Sequence, residues 1–290
     1  MEISVENDFL RITADSKGAE LVSFFSKKLK KEFLWSGDPK FWQRRSPILF
    51  PIVGKLKDNK YKIRDSFFSL NQHGFARDSL FTFDGADEQK ISFIFQENEE
   101  TLKMYPFKFF LRISYEIVGN ELAIGANITN KENIKMPFSL GFHPAFVCPF
   151  ENEEKLNEYC IVFEKEEKCE LLRLENGLIT GREMFLLKDK ILPLSEELFA
   201  NDAVILNKLL SRKVVLHKQD SERPKIEVDF NGFSYLGLWK KKDARFLCIE
   251  PWNGLPDYSK SDQDFFKKEG IIILKEKQTI SFKLKIRLLE

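Results

Sequence analysis

Apolar and polar residues alternate along most of this 290-residue chain. The longest runs cover residues 107–117 and 122–128, in which every second residue is apolar. Successive side chains of a β-strand point to opposite faces, so this period of two predicts strands with one buried and one solvated face. Gly119 and Asn120 separate the two runs and favour a turn. The sequence therefore predicts an antiparallel hairpin over residues 107–129.

The same alternation recurs from end to end, whereas helical periodicity is scarce. Its other occurrences are at residues 2–14, 90–96, 159–164, 225–230 and 280–288. Short helices are predicted only over Ser195 to Phe199, with Ser195 as N-cap, and over Asp262 to Lys268. Three short charged clusters are interpreted as solvated loops or hairpin ends, at residues 97–100, 151–155 and 239–243. Many antiparallel strands with few short helices predict an all-β fold, a sandwich or barrel of large antiparallel sheets.

The balance of charges limits the partners that the chain is expected to bind. The 46 Lys and Arg residues meet 45 Asp and Glu residues, which gives a net charge of +1. This balance leaves no charge excess for a nucleic-acid or anionic-membrane surface. The sequence also lacks the roughly 20 apolar residues of a membrane span, and its N-terminus does not resemble a secretory signal peptide. Neither nucleic acid nor a membrane is expected as a partner.

The four cysteines and the lack of linkers indicate one domain in a reducing compartment. The cysteines, which form no C-x-x-C pair, are Cys148, Cys160, Cys169 and Cys248. Each is interpreted as a small buried hydrophobe, because a chain of this length buries a core without disulfide bonds. Together with the missing export signal, this predicts a cytoplasmic protein. No stretch behaves as a linker, so a single domain over residues 1–290 is the simpler organisation, as a monomer or a homodimer.

Two of the three histidines lie in unusual local sequences. His73 is part of QHGFARD, and His143 is part of LGFHPAF. Pro144 biases His143 toward an extended conformation, which is typical of a side chain held at a strand end. On these residues alone, a histidine with aromatic neighbours is more often structural than catalytic, so both interpretations stay open. His217 ends an apolar run beside a lysine and is interpreted as structural.

A glutamate leads from an apolar strand directly into a turn. Glu250 follows the apolar run FLCI and precedes Pro251, Trp252 and an Asn-Gly pair. This position favours the rim of a sheet, beside an indole suited to line a sugar-sized pocket. Apolar walls raise the pKa of a carboxyl group, as a general base requires. The alternative, a glutamate in a surface turn, stays open at this point.

The chemistry that these residues allow needs only an acid and a base. The sequence contains no P-loop, dinucleotide, zinc-protease, EF-hand or nucleophile-elbow motif. A glutamate base and a histidine acid suffice to open a cyclic hemiacetal. One removes the proton of the anomeric hydroxyl, and the other protonates the ring oxygen. Neither a metal nor a cofactor is predicted.

Five segments in a fixed order carry a resemblance to a known family. They are PILFPIVG (47–54), QHGFARD (72–78), GFHPAF (141–146), NDAVI (201–205) and IEPWNGLPD (249–257). With these segments the chain resembles the aldose 1-epimerase, or galactose mutarotase-like, family, and in particular its bacterial branch with the HGFARD and GFHPAF motifs. The resemblance covers nearly the whole chain. It implies a β-supersandwich of large antiparallel sheets, with the sugar in a cleft on one face.

The resemblance also implies a role for each matching residue. Glu250 matches the general base that takes the proton of the C1 hydroxyl, and His143 matches the general acid that protonates the ring oxygen. His73 matches the histidine that hydrogen-bonds the sugar near the reacting oxygen. Asp202 matches an aspartate that accepts bonds from sugar hydroxyls, although it is also interpretable as the N-cap of a short turn. With Trp252 in the substrate site, the implied reaction interconverts the α and β anomers of an aldohexose by ring opening, rotation about the C1–C2 bond and closure.

The residues that would select the substrate depart from the family pattern. Galactose mutarotases typically carry Asn-Arg where this chain has Gly54 and Lys55, so a planar clamp is replaced by a point charge. The HGFAR string, with Arg44 or Arg45 upstream, also resembles the hexose-6-phosphate 1-epimerase branch, whose arginines bind the phosphate. Arg77 and Arg44 are the pair that would do so here. A local ion pair between Arg77 and Asp78 is the alternative. Free aldohexose and hexose 6-phosphate thus both stay open as substrates.

Two other classes of function compete with an epimerase. Four tryptophans, suited either to stacking on sugar faces or to core packing, favour a noncatalytic carbohydrate-binding protein on the same sandwich. They are Trp35, Trp42, Trp239 and Trp252. The combination of histidine and glutamate argues against a binder, which needs no base. A glycoside hydrolase needs two carboxylates, for which Glu250 and Asp202 are available, but it has no use for two motif histidines.

Overall fold

A computed structural model describes residues 1–219, 221 and 225–289, and it confirms the predicted all-β architecture. The strands are β1 (Glu2–Glu6), β2 (Leu10–Asp15), β3 (Glu20–Ser26), β4 (Lys31–Glu32), β5 (Ile48–Leu49), β6 (Lys60–Ile63), β7 (Ser66–Ser69), β8 (Thr82–Ala86), β9 (Lys90–Gln96), β10 (Phe109–Val118), β11 (Glu121–Asn130), β12 (Met136–Phe138), β13 (Leu140–Phe142), β14 (Ala145–Val147), β15 (Tyr159–Phe163), β16 (Glu167–Glu175), β17 (Leu178–Leu187), β18 (Ile191–Pro193), β19 (Val204–Asn207), β20 (Lys213–Lys218), β21 (Lys225–Asp229), β22 (Tyr235–Trp239), β23 (Phe246–Asn253), β24 (Ile272–Leu274) and β25 (Thr279–Leu289). The helices are α1 (Glu99–Met104) and single 3-10 turns at Lys57–Asn59, Ala76–Asp78, Leu156–Glu158 and Glu197–Phe199.

Two large antiparallel sheets form the body of the fold. The first has nine strands in the order β18-β15-β20-β21-β25-β11-β10-β9-β8. The second has the order β17-β16-β19-β22-β23-β13-β5, and β14 adds an eighth strand by pairing with β23. A separate four-stranded sheet contains β1 to β4, while β12 pairs with β24 and β6 with β7. The expected large antiparallel sheets are therefore present.

The predicted hairpin is confirmed. Strands β10 and β11 pair over their full lengths, from Phe109 opposite Asn130 to Val118 opposite Glu121 beside the two-residue turn. Alternate residues of both strands are buried: Phe109, Leu111, Ile113, Tyr115, Ile117, Leu122, Ile124, Ala126 and Ile128. The other predicted runs also form strands, as β1, β2, β9, β15, β21 and β25. Alternation identified them because each buries one face.

The two predicted helices are shorter than expected or missing. Residues 195–199 contain one 3-10 turn, which begins after Ser195 and in which the Leu198 N–H donates to Ser195 Oγ at 3.3 Å. The prediction of a helix over residues 262–268 is wrong. There the Asp262 and Asp264 carboxylates accept backbone N–H groups two residues ahead, at 3.0 and 3.1 Å. Such local bonds compete with helical hydrogen bonds and hold the segment in turns.

The charged cluster at residues 97–100 is the start of α1 and not a loop. The Asn98 side chain accepts the Thr101 backbone N–H at 2.9 Å, and the Asn98 N–H donates to Thr101 Oγ1 at 2.8 Å. This capping box satisfies two groups that a helix N-terminus otherwise leaves without partners. Glu99 and Glu100 lie in the first turn, where the helix dipole favours negative charge. The acidic cluster therefore starts a helix.

Strand β23 divides the main core from the opposite face of the eight-stranded sheet. Leu247 and Ile249 belong to the main core, which also receives the inner face of the nine-stranded sheet. Cys248 and Trp252 belong to two smaller clusters on the other face. Glu250 lies between Cys248 and Trp252 along the strand. Because every second side chain points the same way, Glu250 is on the same face as these two residues. All eight residues of β23 are buried, so both faces of the strand are covered.

Candidate active site

The strand register brings Glu250 opposite His143. The short strands β13 and β14 both pair with β23 in one continuous antiparallel register. His143 lies in the gap between these two strands, and the same register carried across the gap puts residue 143 opposite residue 250. The Ile249 N–H donates to the carbonyl of Pro144 at 3.2 Å, which holds the gap against β23. Two sequence motifs far apart in the chain therefore meet on one face.

The side chains of His143 and Glu250 form a close, buried pair. His143 Nε2 lies 3.1 Å from Glu250 Oε2, and the exposed fractions of the two side chains are 8% and 1%. The two groups are not aligned as an ordinary hydrogen bond. Among the described residues, neither Glu250 Oε2 nor His143 Nδ1 has a hydrogen-bond partner. Buried polar atoms without partners are costly, so their concentration here points to a ligand that completes the site.

Burial favours the neutral forms of both groups. It raises the pKa of Glu250 well above its usual value, and the charge of Asp202 raises this pKa further. The nearby indole N–H of Trp252 opposes the increase, although it makes no full hydrogen bond to a described residue. Burial lowers the pKa of His143 to about 3, and the positive charge of Arg77 contributes. These directions describe a pair that carries one proton, on the carboxyl group.

His73 reaches the same place from a second loop. Its backbone is in the left-handed region, with φ of 67°, and Gly74 follows with φ of 73°. Gly74 is required there, because a Cβ would lie 2.3 Å from the carbonyl oxygen of Phe50. The Gly54 N–H donates to His73 Nδ1 at 3.1 Å, so the ring proton belongs on Nε2. The ring centroids of His73 and His143 are 5.7 Å apart, and burial lowers the pKa of His73 well below its usual value.

Two tryptophans hold the His143 ring from different sides. The Trp42 ring lies 4.9 Å from the imidazole at an interplanar angle of 31°, and the Trp239 ring lies 5.8 Å away at 83°. Both indoles also contact Phe246, at 5.5 and 5.6 Å between centroids. Trp35 packs in the cluster beneath them, where its Nε1–H donates to the carbonyl of Trp42 at 2.8 Å. Of these indoles, Trp42 and Trp239 line the cleft and Trp35 serves the core.

The groups described so far open into a cleft of about 310 Å³. Six of the predicted site residues line it: His73, Arg77, His143, Asp202, Glu250 and Trp252. This volume lies at the lower end of the range for small-molecule sites. Gly141 makes room for one wall, since a Cβ there would lie 2.7 Å from Cδ1 of Trp252. The structure thus brings most of the predicted residues together around one small pocket.

Asp202 lines the cleft but is not the N-cap of a turn, because the strand β19 (Val204–Asn207) begins two residues later. Its φ of 95° is unusual for a residue other than glycine. Its Oδ1 accepts the N–H of the next residue, Ala203, at 2.8 Å, which is closer in the chain than the groups that an N-cap satisfies. The side chain also lines the cleft, and its charge acts on Glu250. Strained backbone at a ligand site is a common functional feature.

The predicted arginines lie at different distances from the cleft. Arg77 lines it, donates to the carbonyl of Gln72 at 2.6 Å, and has a buried Nε without a hydrogen-bond partner among the described residues. That Nε is 3.8 Å from Asp78 Oδ2, so the local ion pair is also present. Burial, with the charge of Arg44, lowers the pKa of Arg77 to about 10. Arg44 lies outside the described cleft lining and donates to Asp78 Oδ1 at 2.7 Å.

Lys55 also lies outside the described cleft lining, because its Nζ donates to the carbonyl of Asn176 at 3.1 Å. Sequence reasoning missed several residues that do line the cleft: Phe41, Gln72, Leu174, Gly177, Ala203, Lys241 and Pro256. Lys241 belongs to the charged cluster at 239–243 that was interpreted as a solvated loop. Its position two residues after Trp239 was the available signal, since that tryptophan ends a strand beside the site.

Residues 1–271 match the family model described as aldose 1-epimerase. The chain belongs to the aldose 1-epimerase family. It is 36% identical over 266 residues to Protein LacX, chromosomal, of Lactococcus lactis subsp. lactis, and the match covers 88% of each chain.

Solved structures agree with this family. A galactose mutarotase related enzyme from Lactobacillus acidophilus superposes with a TM-score of 0.95 at 30% identity, over 100% of this chain and 98% of that one. A galactose mutarotase-like protein from Lactobacillus casei ATCC 334 gives a TM-score of 0.93 at 30% identity, over 100% of both chains. The galactose mutarotase-like fold implied by the sequence motifs is thus confirmed. Every helix within the described residues is too short or too polar to cross a membrane.

Proposed function

We propose that this member of the family is a cofactor-independent aldose 1-epimerase that interconverts the α and β anomers of an aldohexose. The observation that carries the proposal is the buried pair of His143 and Glu250, whose facing atoms are 3.1 Å apart at the wall of a small cleft. The pair supplies one acid and one base, which is all that opening a hemiacetal ring requires. The family match supports the same reaction type and a small-molecule sugar as substrate.

The reaction uses the pair in its carboxylate and imidazolium form. The single proton of the pair passes from Glu250 to His143 Nε2, which lies 3.1 Å from Glu250 Oε2. The Glu250 carboxylate then takes the proton of the C1 hydroxyl, and O1 becomes the carbonyl oxygen. The C1–O5 bond breaks with its electrons on O5, which His143 protonates. After rotation about the C1–C2 bond, the reverse transfers close the ring on the other face and restore both groups.

Three further residues bind the sugar in this proposal. His73 donates its Nε2–H to an oxygen beside the reacting centre, since its Nδ1 is already bonded to the backbone. Trp252 offers its buried indole N–H, which has no hydrogen-bond partner among the described residues. Asp202 accepts from sugar hydroxyls. All three side chains line the cleft, so together they would orient the sugar against the reacting pair.

A hexose 6-phosphate is the second candidate substrate, and one observation favours it. Arg77 lines the cleft with a buried Nε that has no hydrogen-bond partner in the described part of the chain. A phosphate oxygen would satisfy this donor. Arg44 would then position Arg77, because it donates to the carbonyl of Arg77 at 3.3 Å and to Asp78.

Polarimetry tests both substrates in one series. The optical rotation of freshly dissolved α-D-galactose, α-D-glucose and glucose 6-phosphate is followed with the wild type and with Glu250→Gln, against the spontaneous rate. Acceleration of the free sugars that is lost in Glu250→Gln supports the proposed epimerase. Acceleration of glucose 6-phosphate alone supports the phosphosugar variant. Tryptophan fluorescence that responds to sugar without any faster mutarotation would instead support a noncatalytic binding protein.

A further inference from the structure

Cys248 lies directly beneath the proposed acid and base. It precedes Glu250 by two residues on β23, so both side chains lie on the same face of the sheet. The Cys248 thiol sulfur, a ring nitrogen of His143 and a carboxylate oxygen of Glu250 all lie within 4.8 Å of one another, and all three residues are buried. Within the described residues this is the only group of three such donors. The sugar mechanism proposed above gives Cys248 no role.

The three donors have the chemistry and spacing of a zinc ligand set. Sulfur, imidazole nitrogen and carboxylate oxygen are the ligands that Zn²⁺ takes in proteins, at distances of about 2.0 to 2.3 Å. Tetrahedral coordination then places the ligand atoms roughly 3.3 to 3.7 Å from one another. His143 Nε2 and Glu250 Oε2, at 3.1 Å, are already near this separation. Given the 4.8 Å limit, the sulfur has to move closer to the other two atoms by at most about 1.1 to 1.5 Å.

A second observation points to a ligand at the same atoms. Glu250 Oε2 is buried and has no hydrogen-bond partner within the described residues, although it faces His143. A cation between the two groups would satisfy this oxygen. Both residues line the cleft, whereas Cys248 lies in the cluster behind them. The fourth coordination position therefore opens toward the sugar site, as in zinc centres that keep one exchangeable position.

We propose that Cys248, His143 and Glu250 form a binding site for one thiophilic divalent cation of the Zn²⁺ type, and that the bound cation excludes the sugar. Binding displaces the thiol proton of Cys248 and the carboxyl proton of Glu250, and both protons are released to solvent. The bound cation occupies the base and the acid together, so the metal-bound protein is inactive. This exclusion rests on the proposed function, whereas the metal site itself does not.

Titration with Co²⁺ tests the site without any activity measurement. Thiolate coordination to Co²⁺ produces a near-ultraviolet charge-transfer band, and Zn²⁺ added afterwards should remove it. The wild type is expected to show the band at one equivalent. Cys248→Ser should abolish it and lower the affinity for Zn²⁺ by at least about 100-fold, since even partners of a ligand contribute 10- to 100-fold. Cys160→Ser is the matched control, because Cys160 Sγ lies 3.6 Å from His217 Nε2 in another part of the fold.

A second variant guards against a folding defect in Cys248→Ser. Glu250→Gln keeps the thiol and removes the carboxylate charge, and it should also lower the affinity for Zn²⁺. No band in the wild type, or a band lost in Cys160→Ser and kept in Cys248→Ser, would overturn the site. Displacement of Co²⁺ by galactose supports the exclusion of sugar, and a band that saturating galactose leaves unchanged would contradict it. Failure of the proposed epimerase would appear separately, as missing mutarotation in chelator-treated protein.

Discussion

The two faces of β23 differ in what their buried side chains do. On one face, Leu247 and Ile249 are completely buried among apolar residues. On the other face, Glu250 and Trp252 are almost as deeply buried, yet Glu250 Oε2 and Trp252 Nε1 have no hydrogen-bond partner among the described residues. The first face stabilises the fold by apolar burial, whereas the second gives up stability to keep polar atoms for a ligand. Neighbouring residues, about 3.3 Å apart along the strand, thus serve opposite purposes.

The largest loss of enzymatic rate is expected for His143→Asn, a substitution on the cleft side of the sheet. Asparagine retains a polar side chain but does not transfer a proton to the ring oxygen. The enzymatic rate should therefore fall by about 10²- to 10⁴-fold, the usual contribution of a general acid. Polarimetry with α-D-galactose measures this rate. His217→Asn, on β20 and outside the described cleft lining, is the control and should keep the wild-type rate; equal losses in both variants would remove His143 from its proposed role.

The core side of the strand is tested by Leu247→Ala. This substitution removes apolar contacts in the main core and should lower the free energy of unfolding by about 2–5 kcal/mol. The rate per folded molecule should stay close to that of the wild type, because Leu247 points away from the cleft. Urea denaturation gives the stability, and polarimetry on the folded fraction gives the rate. Preserved stability together with a lost rate is the result that would break the contrast between the faces.

A smaller effect is expected from Trp42, whose ring packs against His143 at a tilt of 31°. Loss of an aromatic contact costs about 0.5–1.5 kcal/mol, so Trp42→Ala should lower kcat roughly 2- to 12-fold. Trp42→Phe keeps a ring beside the imidazole and should retain most of kcat. Both variants are compared by separate determination of kcat and KM. A kcat that is unchanged in Trp42→Ala would show that the indole does not position the acid, and a higher KM at the same kcat would assign it to sugar binding.

The smallest effect is expected from pH near neutrality. The reactive pair carries one proton, and it fails when a second proton binds or when the only proton leaves. Burial lowers the pKa of His143 to about 3, so a second proton binds only in strong acid. Burial raises the pKa of Glu250, so the only proton leaves at a pH above the ordinary carboxyl value. The acid-side decrease in kcat/KM should therefore be centred at about pH 3, and the alkaline-side decrease should lie well above the ordinary carboxyl value. An acid-side decrease centred near pH 6.5, the ordinary value for histidine, would contradict the lowered pKa of His143.

Much of the fold was predictable because alternation is a local property. The hairpin of β10 and β11 and the strand β25 each bury one face along their length, so their sequences carry a period of two. Two errors arose where side chains bond to nearby backbone. The capping box of Asn98 starts a helix inside an acidic cluster, and the carboxylates of Asp262 and Asp264 hold turns where a helix was predicted. These bonds leave little trace in hydrophobic periodicity.

The site was less predictable, because it depends on contacts between distant segments. The sequence indicates that His143 and Glu250 end apolar runs, but only the register of β13, β14 and β23 puts them opposite each other. Motif resemblance supplied that pairing in advance. The resemblance did not separate Arg77, which lines the cleft, from Lys55, whose ammonium bonds to a backbone carbonyl instead. The position of a long side chain depends on its neighbours in the folded structure. The sequence alone does not show which residues those neighbours are.

The central claim is that catalysis belongs to one face of β23 and stability to the other. Its most direct test measures the mutarotation rate per folded molecule for two adjacent substitutions, Glu250→Gln and Ile249→Ala, in the same assay with α-D-galactose. The expected result is a rate at the spontaneous level for Glu250→Gln and a rate near that of the wild type for Ile249→Ala. A wild-type rate in Glu250→Gln, or an equal loss in both variants, would contradict the account.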